Sequence, residues 1–462
     1  MKLAELLATD GDELAAREHV KSLMRDARGR GTGAGKTSES ESTSSLGIIG
    51  AGIMGRAVAA AALGGGLHVA VTDVNADALA AAKTGIIGEL IAAGKSDDEA
   101  RGLADRLLRI TSESAEVAAC DLVLESVAEN PRIKQQVYAE IEPLLSERAI
   151  LATNTSTIPI RELAMGLKRP ERFCGAHFFH PVRERPLLEI IHGPKTDPKT
   201  VATARGFAAS IRKMPIVVED GPGFLVNRLL LPYVTEAMEL LLDGVDIHTI
   251  ERVATEFGMA KGPLQLLDEI GLDTALQGGW VLSAAFPERT VSSPLLVAMI
   301  KAKNLGTKTG CGFFDHSGGR KGVRNLLCEA PEGPFRQKVP DTFSLPIAEG
   351  VPELIEKWKR DTPDSASPPD DSIVLARLLL TMILEATRLL EDGTVGRPED
   401  IDLGVLFGLG FPIDRGGLLW WADRLGAGPI VKMLGEIKGL GTRVQPTEML
   451  LKMAAESRTF YQ

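Results

Sequence analysis

The stretch LGIIGAGIMG at residues 46–55 decides the fold. A short apolar run, Leu46 to Ile49, is followed at once by Gly50, Gly52 and Gly55 in GxGxxG spacing, and an alanine-rich helical run begins there. Glycine at those positions lets a chain turn sharply from strand to helix. It also brings backbone N–H groups up to a pyrophosphate, whose charge suits the positive helix end. Gly50, Gly52, Ile53, Met54 and Gly55 are therefore candidate dinucleotide contacts. A second run, HVAVTD at residues 68–73, ends on Asp73, about 20 residues on, where a carboxylate can accept hydrogen bonds from ribose hydroxyls. That acid repels a 2′-phosphate and no arginine follows in VTDVNAD, so NAD is expected rather than NADP.

Outward from this turn, apolar runs alternate with helical ones. DLVLESV (121–127), AILATN (149–154), FCGAHFF (173–179), LLEII (187–191) and PIVVED (215–220) read as further strands, with alanine- and leucine-rich helical segments over residues 75–109. The alternation indicates a doubly wound, mostly parallel α/β Rossmann sheet over residues 46–220. After Gly221 the strand pattern stops and an all-α region begins. NRLLLPYVTEAMELLLDG (227–244) aligns without a gap on ARLLLTMILEATRLLEDG (376–393), with Arg228, Glu236, Asp243 and Gly244 on Arg377, Glu385, Asp392 and Gly393. With small insertions the match continues from FGMAKGPLQLLDEIG to LGFPIDRGGLLWWADRLG. Retained polar positions point to an internal duplication, copy 1 at residues 221–314 and copy 2 at 371–458. Residues 315–370 between them read as a linker with one short helix, PELIEKWKR.

Upstream, residues 1–24 read as a helical arm and the Gly/Ser/Thr-rich residues 25–45 as a flexible linker. The linker's GTGAGKTS is not a phosphate-binding P-loop, which needs four residues between its first glycine and Gly-Lys-Thr. The 462 residues, 44% apolar and 25% charged, suit a multidomain globular protein. A net charge of −10 argues against a nucleic-acid partner, which would need a basic face for the phosphates. Cys120, Cys174, Cys311 and Cys328 are scattered, which fits a reducing, cytoplasmic setting. No secretory signal and no membrane-spanning run is evident.

The second informative block is HFFHPVRERPLLEII. His177 ends one strand and Glu189 lies in the next, so the two can meet side by side. Oxidation of a secondary alcohol needs a base to take the hydroxyl proton, and histidine beside a carboxylate suits that task. Taken together, GAGIMG, NTST, HFFxPxxxxxLLEII and DGPGFLVNRLL make the chain similar to the L-3-hydroxyacyl-CoA dehydrogenases from about Leu46 to Gly426, above all the dehydrogenase part of multifunctional fatty-acid oxidation enzymes. The resemblance implies NAD-dependent oxidation of an acyl-CoA substrate, with His177 as general base and Glu189 as its partner. It places Ser156 on the reacting oxygen and Asn227 at the acyl-CoA. Glu129 and Lys134 fall near the nicotinamide end of the cofactor. It further implies enoyl-CoA hydratase and thiolase chains as partners, the hydratase being either a separate chain or missing from this sequence as a fragment, and a second helical copy standing in for the partner subunit of single-copy relatives. His180 departs from the family's Asn or Ser. Paired with His177 it invites a metal site, but Pro181 breaks the helix such a pair would need, and none is expected. The alternatives are a related hydroxyacid dehydrogenase acting on a substrate without CoA, and a non-catalytic assembly subunit.

Overall fold

The computed structural model describes residues 12–32, 43–318, 345–360 and 368–461. Contacts divide the chain into two units, Lys21–Phe224 and Met1–Val20 with Leu225–Gln462.

The first unit is built on eight strands: β1 (Ser45–Ile49), β2 (His68–Thr72), β3 (Leu108–Ile110), β4 (Leu122–Glu125), β5 (Ile150–Thr153), β6 (Phe173–Phe178), β7 (Leu187–His192) and β8 (Met214–Glu219). Their order is β3-β2-β1-β4-β5-β6-β7-β8, parallel throughout except where β6 meets β7. This is the expected Rossmann architecture. Helices cover the sheet, so β4 and β5 are buried at every position and, up to the polar residues Glu125 and Thr153 that end them, read as continuous apolar runs rather than alternating ones. Gly47 sits mid-strand because a Cβ there would lie 2.5 Å from the Val117 carbonyl oxygen of the helix Ser114–Ala118. β3 was not foreseen. It is three residues long, only partly buried, and directly follows the helix Asp97–Leu107, too brief for a period-two signal.

The arm extends further than its apolar start suggests. One helix runs Glu13–Thr32, because Ala16, Val20, Leu23, Met24 and Ala27 continue a buried stripe past residue 24. Residues 1–11 of the expected arm and 33–42 of the expected linker lie outside the described residues.

In the helical unit, the helices Val226–Leu242 and Asp371–Glu391 pack against each other through ion pairs that repeat reciprocally. Arg228 Nε meets Glu385 at 2.7 Å and its Nη1 meets Asp392 at 2.8 Å. Arg377 Nε meets Glu236 at 2.8 Å and its Nη1 meets Asp243 at 2.6 Å. Each copy thus gives the other the same arginine and the same two acids, as across a twofold axis. The equivalence goes on. Asp268 accepts from the N–H groups of Phe313 and Phe314, and Asp423 from those of Phe460 and Tyr461, beyond the 458 bound read for copy 2. Glu251 accepts from Leu264 N–H, and Asp402 from Leu419 and Trp420 N–H. Between Asp402 and Gly410 copy 2 carries one residue more than copy 1 has between Glu251 and Gly258, absorbed by a π turn at Val405–Leu409.

Candidate active site

Within the Rossmann unit the glycine turn comes first. Gly50 has φ +112°, a region open to glycine, and a Cβ there would fall 2.5 Å from the Ser126 carbonyl oxygen. A Cβ at Gly55 would come 1.9 Å from the Gly50 oxygen. Packing of the turn itself accounts for both. Gly52 is different: its φ is −69° and a Cβ there would meet nothing within 4 Å. Among the described residues no contact requires glycine at position 52, so the open space suits an external group. Gly52 is also the N-cap of the helix Ile53–Gly64 and offers no side chain to its first N–H groups. An open approach above uncapped donors fits the pyrophosphate of a dinucleotide. Ile53 is exposed beside it.

Asp73 closes the turn. Its Oδ2 accepts from Ala51 N–H at 2.6 Å and its Oδ1 from Asn75 N–H at 2.8 Å. Each oxygen retains a further lone pair, so the carboxylate can hold the turn and still accept from a ribose hydroxyl.

His177 and Glu189 lie directly opposite each other in the antiparallel β6–β7 pair. His177 Nδ1 is 2.6 Å from Glu189 Oε2, and both side chains are buried. The imidazole is flanked by Phe179 at 4.6 Å and Phe224 at 6.1 Å between centroids. An ionised carboxylate only accepts, so Nδ1 carries a proton toward Glu189 and the lone pair of a neutral ring resides on Nε2. The strand ends are tied together: Asn154 Oδ1 accepts from Phe178 N–H at 2.9 Å.

Next to them is a charge network that the sequence showed only in part. Asn130 caps the helix Pro131–Ile141, its side chain accepting from Arg132 and Ile133 N–H, and Pro131 opens the first turn. This start carries Lys134 inward, where it is buried rather than on a solvated face. Lys134 Nζ lies 2.8 Å from Glu125 and 3.3 Å from Glu129. Glu125 also accepts from Tyr138 Oη, Thr153 Oγ1 and Val127 N–H. Glu129 Oε1 accepts from Thr155 Oγ1 at 2.6 Å and from Ser156 N–H at 2.8 Å, which holds the NTST turn. Burial pushes the Glu129 carboxyl up, but Lys134, the Thr155 hydroxyl and the Ser156 N–H outweigh it and leave it below the usual carboxylate range. Burial, and next the charge of Glu125, raise the Tyr138 phenol well above its ordinary value and keep it a donor. Glu125, Tyr138, Thr153 and Thr155 were missed. The available signal was an acid ending the apolar run LVLE, since a buried carboxylate requires partners.

His180 precedes a cis peptide to Pro181 and is exposed. Asn227 belongs to the other unit, in the first turn of Val226–Leu242. No helix among the described residues is long and apolar enough to cross a membrane.

Residues 45–221 match the NAD binding domain of 3-hydroxyacyl-CoA dehydrogenase, and residues 223–316 its C-terminal domain. The chain is similar to a 3-hydroxybutyryl-CoA dehydrogenase from Escherichia coli K12, with 25% identity and a TM-score of 0.73 over 90% of this chain and 99% of that one. It shares 34% identity with (S)-3-hydroxybutyryl-CoA dehydrogenase from Ralstonia eutropha, over 59% of this chain and 98% of that one, with a TM-score of 0.55. The dehydrogenase part of a multifunctional enzyme from C. elegans shares the fold, at 23% identity and a TM-score of 0.62 over 97% of this chain and 98% of that one. With a relative this similar matched over nearly its full length, and with both family domains found in order, the chain belongs to the NAD-dependent 3-hydroxyacyl-CoA dehydrogenase family.

Proposed function

We propose that the protein oxidises L-3-hydroxyacyl-CoA to 3-oxoacyl-CoA in fatty-acid β-oxidation. The observation that carries this reading is the His177–Glu189 pair at 2.6 Å on adjacent strands. Gly50–Gly55 and Asp73 would hold NAD⁺, which would supply the hydride acceptor. His177 Nε2 takes the C3 hydroxyl proton, while Glu189 at Nδ1 holds the tautomer and balances the imidazolium charge. Ser156 hydrogen-bonds the reacting oxygen, its turn anchored by Glu129. Asn227 contributes to acyl-CoA binding, and Glu129 and Lys134 would serve the nicotinamide end of the cofactor. The 3-hydroxybutyryl-CoA relatives make a four-carbon thioester the first substrate to test. An enoyl-CoA hydratase supplies such a substrate and a thiolase consumes the product, which makes those chains the partners of choice.

The test is NADH formation from NAD⁺ with L-3-hydroxybutyryl-CoA, longer L-3-hydroxyacyl-CoAs and the corresponding free acids. Turnover of the thioesters should fall about 10²–10⁴-fold in His177→Ala with the fold retained. Wild-type rates in that variant would remove His177 from the mechanism. Turnover of the free acid alone would move the substrate class away from CoA.

A further inference from the structure

We propose that the helical unit holds a separate site for a small phosphate dianion, between the two copies. A cavity of about 50 Å³ there is lined by Arg228, Arg289, Arg388 and Arg443, with Leu231, Pro232, Leu282 and Phe286 among its apolar walls. The arginines compete for few acids. Glu385 is shared by Arg228 at 2.7 Å, Arg289 at 3.1 Å and Arg388 at 3.2 Å. Glu236 is shared by Arg443 at 2.6 Å and Arg377 at 2.8 Å. Of the charged residues that line the cavity four are arginines and two are carboxylates, Glu385 and Glu236, so the lining itself carries two more positive than negative charges, while Asp392 and Glu288 pair with Arg228 and Arg289 from outside it. Asp392 and Glu288, 42% and 59% exposed, are screened by solvent.

Two observations indicate that an anion completes the arrangement. Arg228 is 1% exposed, yet its Nη2 has no hydrogen-bond partner, an expensive state for a buried charged donor. Burial lowers the Arg289 pKa, and the charges of Arg388 and Arg228 act in the same direction against the opposing pull of Glu385. Because a guanidinium stays protonated in proteins, that unfavourable energy is relieved by a nearby negative charge. The counterpart Arg377 shares the unpartnered Nη2, but on its side Arg360 joins Glu239 and Asp243, and Arg377 does not line the cavity. A phosphate carrying up to two charges matches the excess, and convergent arginines are its usual hosts. Phe286, with Arg289 at 3.8 Å and Arg228 at 4.9 Å from its centroid, fixes the orientation of both guanidinium groups.

The experiment titrates the full chain, saturated with NADH to occupy the dinucleotide cleft, with inorganic phosphate and with glycerol 3-phosphate by calorimetry. One equivalent is expected to bind, with affinity reduced about tenfold or more in Arg289→Leu and in Arg388→Gln while NADH affinity is unchanged. Tighter binding of the ester supports a stem on the apolar wall, and tighter binding of the inorganic ion supports phosphate itself. Absence of binding, or binding undiminished in whichever of the two variants keeps the wild-type circular dichroism, overturns the site.

Discussion

The two helical copies are the same frame put to different uses. Both place an arginine, a glutamate and an aspartate at equivalent positions of their long helices. Both bury an acid under the turn that starts a later helix, Glu251 beneath Gly262 and Asp402 beneath Gly417, where a Cβ would fall 2.2 Å and 2.3 Å from the carboxyl group. They diverge elsewhere. Copy 1 carries Asn227 where copy 2 has the buried Ala376. Copy 2 carries Trp420 where copy 1 has Gln265. Trp420 stacks on His19 of the N-terminal helix at 3.9 Å, Tyr461 meets the same ring at 4.7 Å, and Arg17 pairs with Asp414 at 2.5 Å. Shared residues build the interface, and unshared ones show what each copy adds: a candidate substrate contact in the first, a dock for the arm in the second.

The largest test of this division is the reciprocal ion pairs. Arg228→Ala and Arg377→Ala should each lower unfolding free energy by about 3 kcal/mol in denaturant titrations, because each deletes two charge-assisted hydrogen bonds between the copies, although Glu385 keeps Arg289 and Arg388 and Glu236 keeps Arg443. Markedly unequal losses would break the twofold reading.

Next come the paired buried acids. Burial pushes Glu251 up from 4.5 to about 8 and Asp402 from 3.8 to about 7, opposed in both by backbone N–H donors and in Asp402 also by the Tyr461 hydroxyl. Between those values the folded chain binds more protons than the unfolded one, so stability falls as pH rises. The decline should run from about pH 4.5 to 8 for Glu251 and about 3.8 to 7 for Asp402, and amount to a few kcal/mol. Glu251→Gln and Asp402→Asn should each flatten its own window in stability measured against pH. A slope unchanged in both variants would place its origin elsewhere.

Asn227→Ala should lower kcat/KM about tenfold or more with little change in melting temperature, as expected for a hydrogen bond made to substrate. A rate unaffected by that substitution would make position 227 as structural as its counterpart 376. The smallest effect belongs to Tyr461→Phe. It removes the 2.7 Å hydrogen bond to Asp402 and should cost about 1 kcal/mol, with the Asp402 window moved to higher pH.

By itself the sequence determined the strand–glycine turn–helix at residues 46–55, the acid that follows at Asp73, the His177 and Glu189 positions and the repeat itself. These are local: each depends on spacing along one or two adjacent elements, and a residue on one strand faces a determined residue on the next. Only the tertiary structure showed that Gly52, unlike Gly50 and Gly55, has no packing reason to be glycine, because that depends on what surrounds a missing side chain. It alone joined Glu125 to Lys134, Tyr138 and Thr153, since a carboxylate inside an apolar strand takes partners from distant segments to offset lost hydration. The repeat disclosed which polar residues were kept but not that each arginine pairs with the other copy's acids. Pairing is set by how two helices cross, and no spacing within either helix encodes that.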